Sequence, residues 1–100
     1  MAKEVVLTPY SIANYEVIVK YLLTNWNHNV ANNFIERFEQ VCEHLSENPE
    51  IFPFVDKTKG VQKCVLTKHN ILYFKETAES IKILTIFDSR QDPEKLFSVV

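Results

Sequence analysis

The sequence has few of the residues that make loops and cross-links: among its 100 residues are one glycine, four prolines and two cysteines. A single glycine excludes the glycine-rich loops that hold phosphate groups and leaves little room for flexible linkers. Cys42 and Cys64 are too few for a disulfide framework, and their spacing matches no metal-binding motif. Both stand among apolar neighbours, so we interpret them as small buried hydrophobic residues.

Long apolar stretches are also missing. Five asparagines interrupt residues 21–35, so no stretch reaches the ~18 apolar residues that a membrane span needs. The apolar run at residues 5–7 is too short for a signal peptide. We expect a cytoplasmic protein without a membrane span. Zinc motifs and Ser/His/Asp arrangements are not found either, so we expect neither a metal nor a cofactor.

Neither sign of charge dominates, since 11 Lys and Arg stand against 13 Asp and Glu and the formal net charge is −2. Residues 1–60 carry five basic and eight acidic side chains, whereas residues 61–100 carry six and five. Any basic surface therefore belongs to the last part of the chain. The hydrophobic fraction of 46% and the short length predict one folded domain over residues 1–100.

A helix hairpin is predicted after a short strand at residues 4–8. Thr8 suits a helix N-cap and Pro9 the first helical position, and apolar residues then recur every three or four positions as far as Trp26, which predicts a helix over residues 9–25. After an asparagine-rich turn, a second apolar stripe runs to Leu45. That second helix has Asn27 or Asn29 as its cap, and it ends before Asn48-Pro49, because proline disfavours the α conformation of the preceding residue.

Three strand candidates fill the last part of the chain, at residues 61–67, 71–75 and 81–87, and the linkers between them have hairpin length. Residues 50–59 are predicted to be the one irregular connector. The fold class is therefore α+β in the order β-α-α-β-β-β. We expect the helix hairpin on one face of a mainly antiparallel four-stranded sheet, with the first strand paired beside the other three.

Strand alternation predicts which side chains leave the core. Cys64, Leu66, Leu72 and Phe74 should face the helices, which turns the intervening residues to the other face of the sheet. That face should form a concave, modestly basic surface with one aromatic residue, although a half-solvated sheet face with ordinary charges explains the pattern as well. The residues expected on or beside it are Lys63, Tyr73, Lys75, Lys68, His69 and Arg90.

The most strand-like stretch of the chain, residues 81–87, ends in a polar corner that reads Asp88-Ser89-Arg90-Gln91-Asp92. With this corner, the chain resembles the RelE/ParE superfamily of toxins from bacterial toxin–antitoxin systems, sometimes labelled plasmid stabilisation proteins. The resemblance covers nearly all of residues 4–96. It also rests on Leu45-Ser-Glu-Asn-Pro49 and on Asn70-Ile-Leu-Tyr-Phe74, since members commonly read I-L-Y in the middle strand and H-x-R-x-D after the last.

The resemblance implies a small cytoplasmic toxin that a cognate antitoxin protein neutralises, in a hetero-oligomer of the two. Two activities occur in the superfamily. ParE-like members inhibit DNA gyrase through protein contact, and RelE-like members cleave messenger RNA on the ribosome. We expect the ParE-like activity, because the predicted helices are long and near-equal, as in ParE-like members, and because net acidity suits ribosome binding poorly. A degenerate member without toxicity, acting as a binding module, is a further alternative.

The site residues follow from the same resemblance. For a ribonuclease, Lys63, Lys68 and Arg90 would be the cations that hold phosphate charge, with His69 as an acid or base. Asp88 stands where nuclease members often carry histidine, and a carboxylate seldom carries a proton near pH 7. For binding a target or an antitoxin, the resemblance implies the set Lys63, Tyr73, Lys75, Asp88, Arg90 and Asp92.

Structural roles are the competing interpretation of these residues. Arg90 and Asp92 could form an ion pair that clamps the chain end, or Asp92 could cap a short turn before Pro93. Trp26 stands at the end of its helical stripe. We interpret it as a core residue or as closure of the helix hairpin.

Overall fold

A computed structural model describes residues 2–97 of the chain. It contains a single mixed sheet, a helix hairpin and a short C-terminal helix. In chain order the elements are β1 (Glu4–Leu7), α1 (Pro9–Asn25), α2 (His28–Glu47), a 3-10 turn (Pro49–Ile51), β2 (Phe54–Asp56), β3 (Val61–Val65), β4 (Asn70–Glu76), β5 (Ser80–Asp88) and α3 (Pro93–Phe97). No helix within residues 2–97 is both long enough and apolar enough to cross a lipid bilayer.

The helix ends lie where the capping residues predict them. The Thr8 side chain accepts a hydrogen bond from the Ser11 N–H at 3.1 Å, and Pro9 opens α1. Asn27 caps α2 by accepting from the Val30 N–H at 3.0 Å. Each cap satisfies one of the N–H groups that a helix start leaves without a partner. Of the two candidate caps of α2, the structure uses Asn27.

The sheet has the strand order β1-β5-β4-β3-β2. β1 runs parallel to β5, and the other neighbours are antiparallel. The pairing of the first strand beside the last three is therefore confirmed. Because β5 lies between β1 and β4, it is paired along both edges, which accounts for its apolar sequence.

The expected strand count of four is wrong by one, because β2 forms within the segment predicted to be irregular. Two local features reverse the chain after it. The Asp56 side chain accepts from the Lys59 N–H at 3.0 Å, and Gly60 adopts a φ of 73°, a conformation that glycine reaches without steric cost. This turn lays Phe54 opposite Gln62, so three connector residues become an edge strand.

The core lies between the helix hairpin and the sheet, with fully buried residues from α2 and half-buried ones from α1. Its largest fully buried side chains include Phe74, Leu45, Leu72, Ile81 and Ile83. From the helix side, buried residues recur along α2 at the spacing of one helical stripe, as Ala31, Phe34, Phe38, Val41 and Leu45. Cys64 is buried, as the sequence predicts, whereas Cys42 is only half-buried. Burial raises the pKa of both thiols, that of Cys42 to about 11.

A buried glutamine ties the connector to the sheet. The Gln62 side chain is 2% exposed, and its Nε2 donates to the carbonyl oxygens of Pro49 at 2.7 Å and Phe52 at 3.0 Å. A buried amide is tolerated only with such partners. The two bonds hold the 3-10 turn against β3.

Candidate functional site

A groove runs between the first helix and the end of the sheet where β4 begins and β5 ends. It has a volume of about 890 Å³. One wall is the outer side of α1 and the start of α2, and the opposite rim is the turn before β4 together with the polar corner after β5. We call this cleft the α1–β5 groove.

The helix wall of the groove is apolar and open to solvent. Tyr10, Val17, Tyr21 and Trp26 line it, with exposed fractions of 52%, 67%, 55% and 64%. The first three recur at helical spacing along one side of α1, and Trp26 follows at its end. Such a run of exposed apolar and aromatic side chains is typical of a surface that a partner covers.

The floor of the groove is fixed by one amide. The Oδ1 of Asn14 on α1 accepts from the Thr85 hydroxyl at 2.7 Å and from the Ile86 N–H at 3.1 Å. Thr85 is only 2% exposed, so this contact satisfies polar groups that water does not reach. Asn14 therefore sets the distance between α1 and β5, and hence the shape of the groove.

At the rim, Arg90 is held by Asp88 of the same corner. Its Nε donates to Asp88 Oδ1 at 3.0 Å and its Nη2 to Asp88 Oδ2 at 2.7 Å, a two-point pairing of guanidinium and carboxylate. The Arg90 N–H adds a bond to Oδ1 at 2.9 Å. These bonds from Arg90, with a smaller contribution from the charge of His69, lower the pKa of Asp88 to about 2.

The rim and the helix wall face each other across the groove. The pKa of Arg90 is raised, chiefly by its hydrogen bond to Asp88 and to a lesser extent by the nearby Tyr21 of α1. The carbonyl of His69 accepts from the Ser89 N–H at 2.7 Å, which joins the turn before β4 to the corner. Lys68, His69, Asp88 and Arg90 all line the same groove.

The structure does not bring the other predicted site residues to this groove. Lys63, Tyr73 and Lys75 alternate with residues packed under the helices, so they lie on the other face of the sheet. Lys63 and Tyr73 are cross-strand partners there. The expected exposed aromatic is absent at Tyr73, which is 6% exposed, and burial raises the pKa of its hydroxyl.

Asp92 has a capping role. Its Oδ1 accepts from the Glu94 N–H at 3.0 Å at the start of α3, as the turn-capping interpretation predicts. The alternative ion pair between Arg90 and Asp92 is wrong, because the Arg90 guanidinium pairs with Asp88 instead. Asp92 does not line the α1–β5 groove.

Sequence reasoning missed the apolar wall. The expectation of Trp26 in the core is wrong, because Trp26 is exposed at the end of α1 in the hairpin and lines the groove. Ile12, another apolar residue of α1, is 43% exposed on the side away from the groove. The sequence did contain a sign of this exposure, because apolar residues occur on most sides of α1. One contact with the core cannot cover an apolar surface that wide.

The groove combines an apolar wall with a rim that carries both positive and negative side chains. Lys68 and Arg90 are cationic, the imidazole of His69 can take part in hydrogen bonds, and Asp88 with a pKa of about 2 is ionised at pH 7. Among residues 2–97, no three His, Cys, Asp or Glu side chains converge as a metal site would require.

The comparisons with known proteins agree with this architecture. The model of the family described as ParE toxin of type II toxin–antitoxin system, parDE, matches residues 5–93. The chain belongs to the ParE toxin family. A solved structure titled "Chromosomal ParDE TA system from P. aeruginosa" superposes with a TM-score of 0.72, covering 87% of this chain and 96% of that chain at 15% sequence identity. No curated protein matches the chain.

At 15% identity the structural match supports the fold alone, because proteins that share a fold can differ in function. The expected α+β fold with β-α-α followed by strands is confirmed, with β2 as the addition. The roles assigned to Arg90, Lys63, Lys68, His69, Tyr73, Lys75, Asp88 and Asp92 stay predictions.

Proposed function

We propose that this chain is a toxin that acts in the cytoplasm by binding a protein target, DNA gyrase being the candidate, and that a cognate antitoxin neutralises it in a hetero-oligomer. The single observation that carries the proposal is the chemistry of the α1–β5 groove. Its wall is apolar and exposed, and the one arginine on its rim already has a carboxylate partner.

The apolar wall supports a protein as the ligand. Val17, Tyr21 and Trp26 leave more than half of their surface in water, and covering such side chains recovers about 25 cal/mol for each Å² of apolar area. An amphipathic helix that lies in a groove buries its own apolar face in this way. A segment of the antitoxin with apolar residues at helical spacing would therefore fit the groove.

The rim supports protein contact over nuclease chemistry. Cleavage of RNA needs cations that are free to stabilise the phosphorane and a group that can donate a proton. The fork of Arg90 is occupied by Asp88, and Asp88 remains a carboxylate that repels phosphate. Lys63, the third expected cation, lies on the other face of the sheet from the groove.

A ribosome-dependent ribonuclease is the second candidate, since Lys68, His69 and Arg90 share one rim. For that activity Asp88 must release Arg90 to the phosphate. Arg90→Ala should then abolish messenger cleavage and growth arrest together. Messengers that stay intact during growth arrest would exclude the ribonuclease.

The first experiment is induction in bacteria with and without the adjacent small open reading frame. The proposal predicts growth arrest that co-expression of the antitoxin suppresses, and inhibition of supercoiling when purified toxin is added to DNA gyrase. Harmless expression would favour the degenerate, non-toxic alternative. Arrest without effect on gyrase would overturn the proposed target and keep the toxin assignment.

The groove itself is tested by a matched pair of substitutions. Val17 on the groove wall is 67% exposed and Ile51 on the 3-10 turn is 66% exposed. Val17→Asp should weaken co-purification of the antitoxin by about tenfold or more, because a carboxylate in a dry contact costs at least ~1.4 kcal/mol. Ile51→Asp should leave it unchanged. Equal effects of the two substitutions would show that the groove is not the binding surface.

A further inference from the structure

The side of α1 turned away from the groove carries a second apolar surface that the proposed function does not use. Ile12, Val19 and Leu23 recur along one stripe of the helix, and Ile12 and Leu23 are each 43% exposed. A shallow depression of about 400 Å³ lies over this side of the helix. We call the following set the second face of α1: Ile12, Tyr15, Glu16, Val19, Lys20 and Leu23.

The second face and the groove wall are separate surfaces. At 3.6 residues per turn, Val19 and the groove residue Val17 point roughly 160° apart around the helix axis. The side of α1 between them and toward the core holds Ser11, the one fully buried residue of the helix. One partner in the groove would therefore leave the second face uncovered.

The second face contains both charged residues of α1. Glu16 and Lys20 are exposed, and within residues 2–97 neither takes part in an ion pair. At 3.6 residues per turn, both lie along one edge of the apolar stripe. An apolar partner surface alone would bury or crowd these charges without neutralising them.

We propose that the second face binds the same face of a second copy of this chain, with the two α1 helices antiparallel about a two-fold axis. We place the two-fold axis at the level of Ile18. Glu16 lies two residues before this level and Lys20 two residues after it, so in the antiparallel pair Glu16 of each copy meets Lys20 of the other. Ile12, six positions before the axis, meets Leu23, five positions after it. The face is thus complementary to itself in charge and in apolar content.

A two-fold contact uses one patch twice, which is why this self-complementarity selects a second copy as the occupant. A dimer contact on the second face also accounts for the many apolar residues of α1. A helix that is apolar on most sides is normally covered by other parts of the protein or by a partner on most sides. The contact is small. A helix of 17 residues is about 25 Å long, so we expect a weak dimer with a dissociation constant between about 1 µM and 1 mM.

The test is sedimentation velocity of the purified full-length chain over a concentration series that spans this range. The wild type should shift from monomer to dimer. Glu16→Lys places two lysines opposite each other, and Lys20→Glu places two glutamates opposite each other. Each single variant should therefore stay monomeric at concentrations where the wild type is at least half dimeric.

Mixing the two single variants is the decisive measurement. In a heterodimer of Glu16→Lys with Lys20→Glu, both inter-copy pairs again have opposite charge, so the mixture should dimerise as the wild type does. The double variant carrying both changes should also dimerise with itself. Far-UV circular dichroism and the urea midpoint of each variant show whether the fold is kept.

Three results would overturn the dimer. The wild type could stay monomeric throughout the range, the single variants could dimerise as well as the wild type, or the mixture could remain monomeric although both variants are folded. If the antitoxin binds the second face instead, Glu16→Lys weakens its co-purification and the wild type alone stays monomeric, which also overturns the proposal. Growth arrest is not the readout, so failure here leaves the proposed toxin function untouched.

Discussion

α1 and α2 lie side by side in one hairpin and use their apolar residues differently. α2 places five buried residues on a single stripe and exposes most of its other positions. α1 has a higher apolar content but buries only Ser11 completely. It leaves Tyr10, Val17 and Tyr21 exposed on one side and Ile12 and Leu23 on another. The comparison teaches that α2 supplies the fully buried helix residues of the core, whereas α1 packs on the core with half-buried residues and leaves two apolar sides in solvent.

The largest expected effect compares the same substitution in the two helices. Leu45 of α2 is 0% exposed and Leu23 of α1 is 43% exposed. Leu45→Ala should lower the free energy of unfolding by about 2–5 kcal/mol, because it removes buried methyl groups and leaves a cavity. Leu23→Ala should cost less than about 1 kcal/mol. Urea unfolding followed by circular dichroism measures both, and similar losses would contradict the division between the helices.

A smaller effect is expected where α1 does contribute to the interior. Asn14→Ala leaves the buried Thr85 hydroxyl and the Ile86 N–H without their acceptor. The free energy of unfolding should fall by about 1–3 kcal/mol, and the antitoxin should bind more weakly because the groove changes shape. Asn32 on α2 is exposed, so Asn32→Ala is the control and should change neither quantity by a measurable amount.

Next come the caps that start the two helices. Thr8→Ala and Asn27→Ala each remove one side-chain acceptor from a helix N-terminus and should cost about 0.5–2 kcal/mol. Thr8 also donates its hydroxyl to the Leu84 carbonyl at 3.1 Å, so we expect the larger loss for Thr8. A larger loss at Asn27 in thermal or urea unfolding would show that this tertiary bond contributes little.

The smallest effect is the pH dependence of the rim pair. In the folded chain the pKa of Asp88 is about 2, below the ~3.9 of an unfolded aspartate. The pair therefore stabilises the fold above about pH 4, and this contribution is lost as the pH falls toward about 2. Because the pair is largely in solvent, the contribution is modest.

The check on this pair is the urea midpoint of the wild type and of Asp88→Asn across the acid range. The urea midpoint of the wild type should be the higher one at neutral pH, and the difference should shrink between about pH 4 and pH 2 and vanish below that range. A difference that keeps its full size at about pH 2 would show that Asp88 acts through its shape and neutral hydrogen bonds, because about half of the folded-state carboxyl is protonated at that pH.

Much of the fold was predictable because it follows from local rules. The caps at Thr8 and Asn27, the end of α2 before Pro49 and the three last strands each depend on neighbouring residues along the chain. β2 was not predictable in the same way. It exists because the turn at Gly60 brings residues 54–56 alongside β3, and edge pairing of that kind requires the partner strand to be in place.

The candidate site divides along the same line. Lys68 and His69 come from the residues expected for a ribonuclease, Asp88 from those expected for binding, and Arg90 from both sets. The structure brings the four together along one groove. The sequence alone could not separate Lys63 and Tyr73 from these groove residues. The direction in which a strand side chain points relative to the groove depends on which face of the sheet the helices cover. Nor could the sequence choose Asp88 over Asp92 as the partner of Arg90, since both stand two residues away.

By itself, the sequence determined the order of the elements, the helix ends and the residues of the polar corner, since these depend on spacing and on capping chemistry within a few residues. Only the tertiary structure decided which apolar residues of α1 remain exposed. Periodicity shows that a helix has an apolar side, but it does not show how much of that side the sheet covers. In this chain the sheet and α2 half-bury Tyr15, Ile18, Val19 and Leu22. The apolar residues that stay exposed form the groove wall and part of the second face.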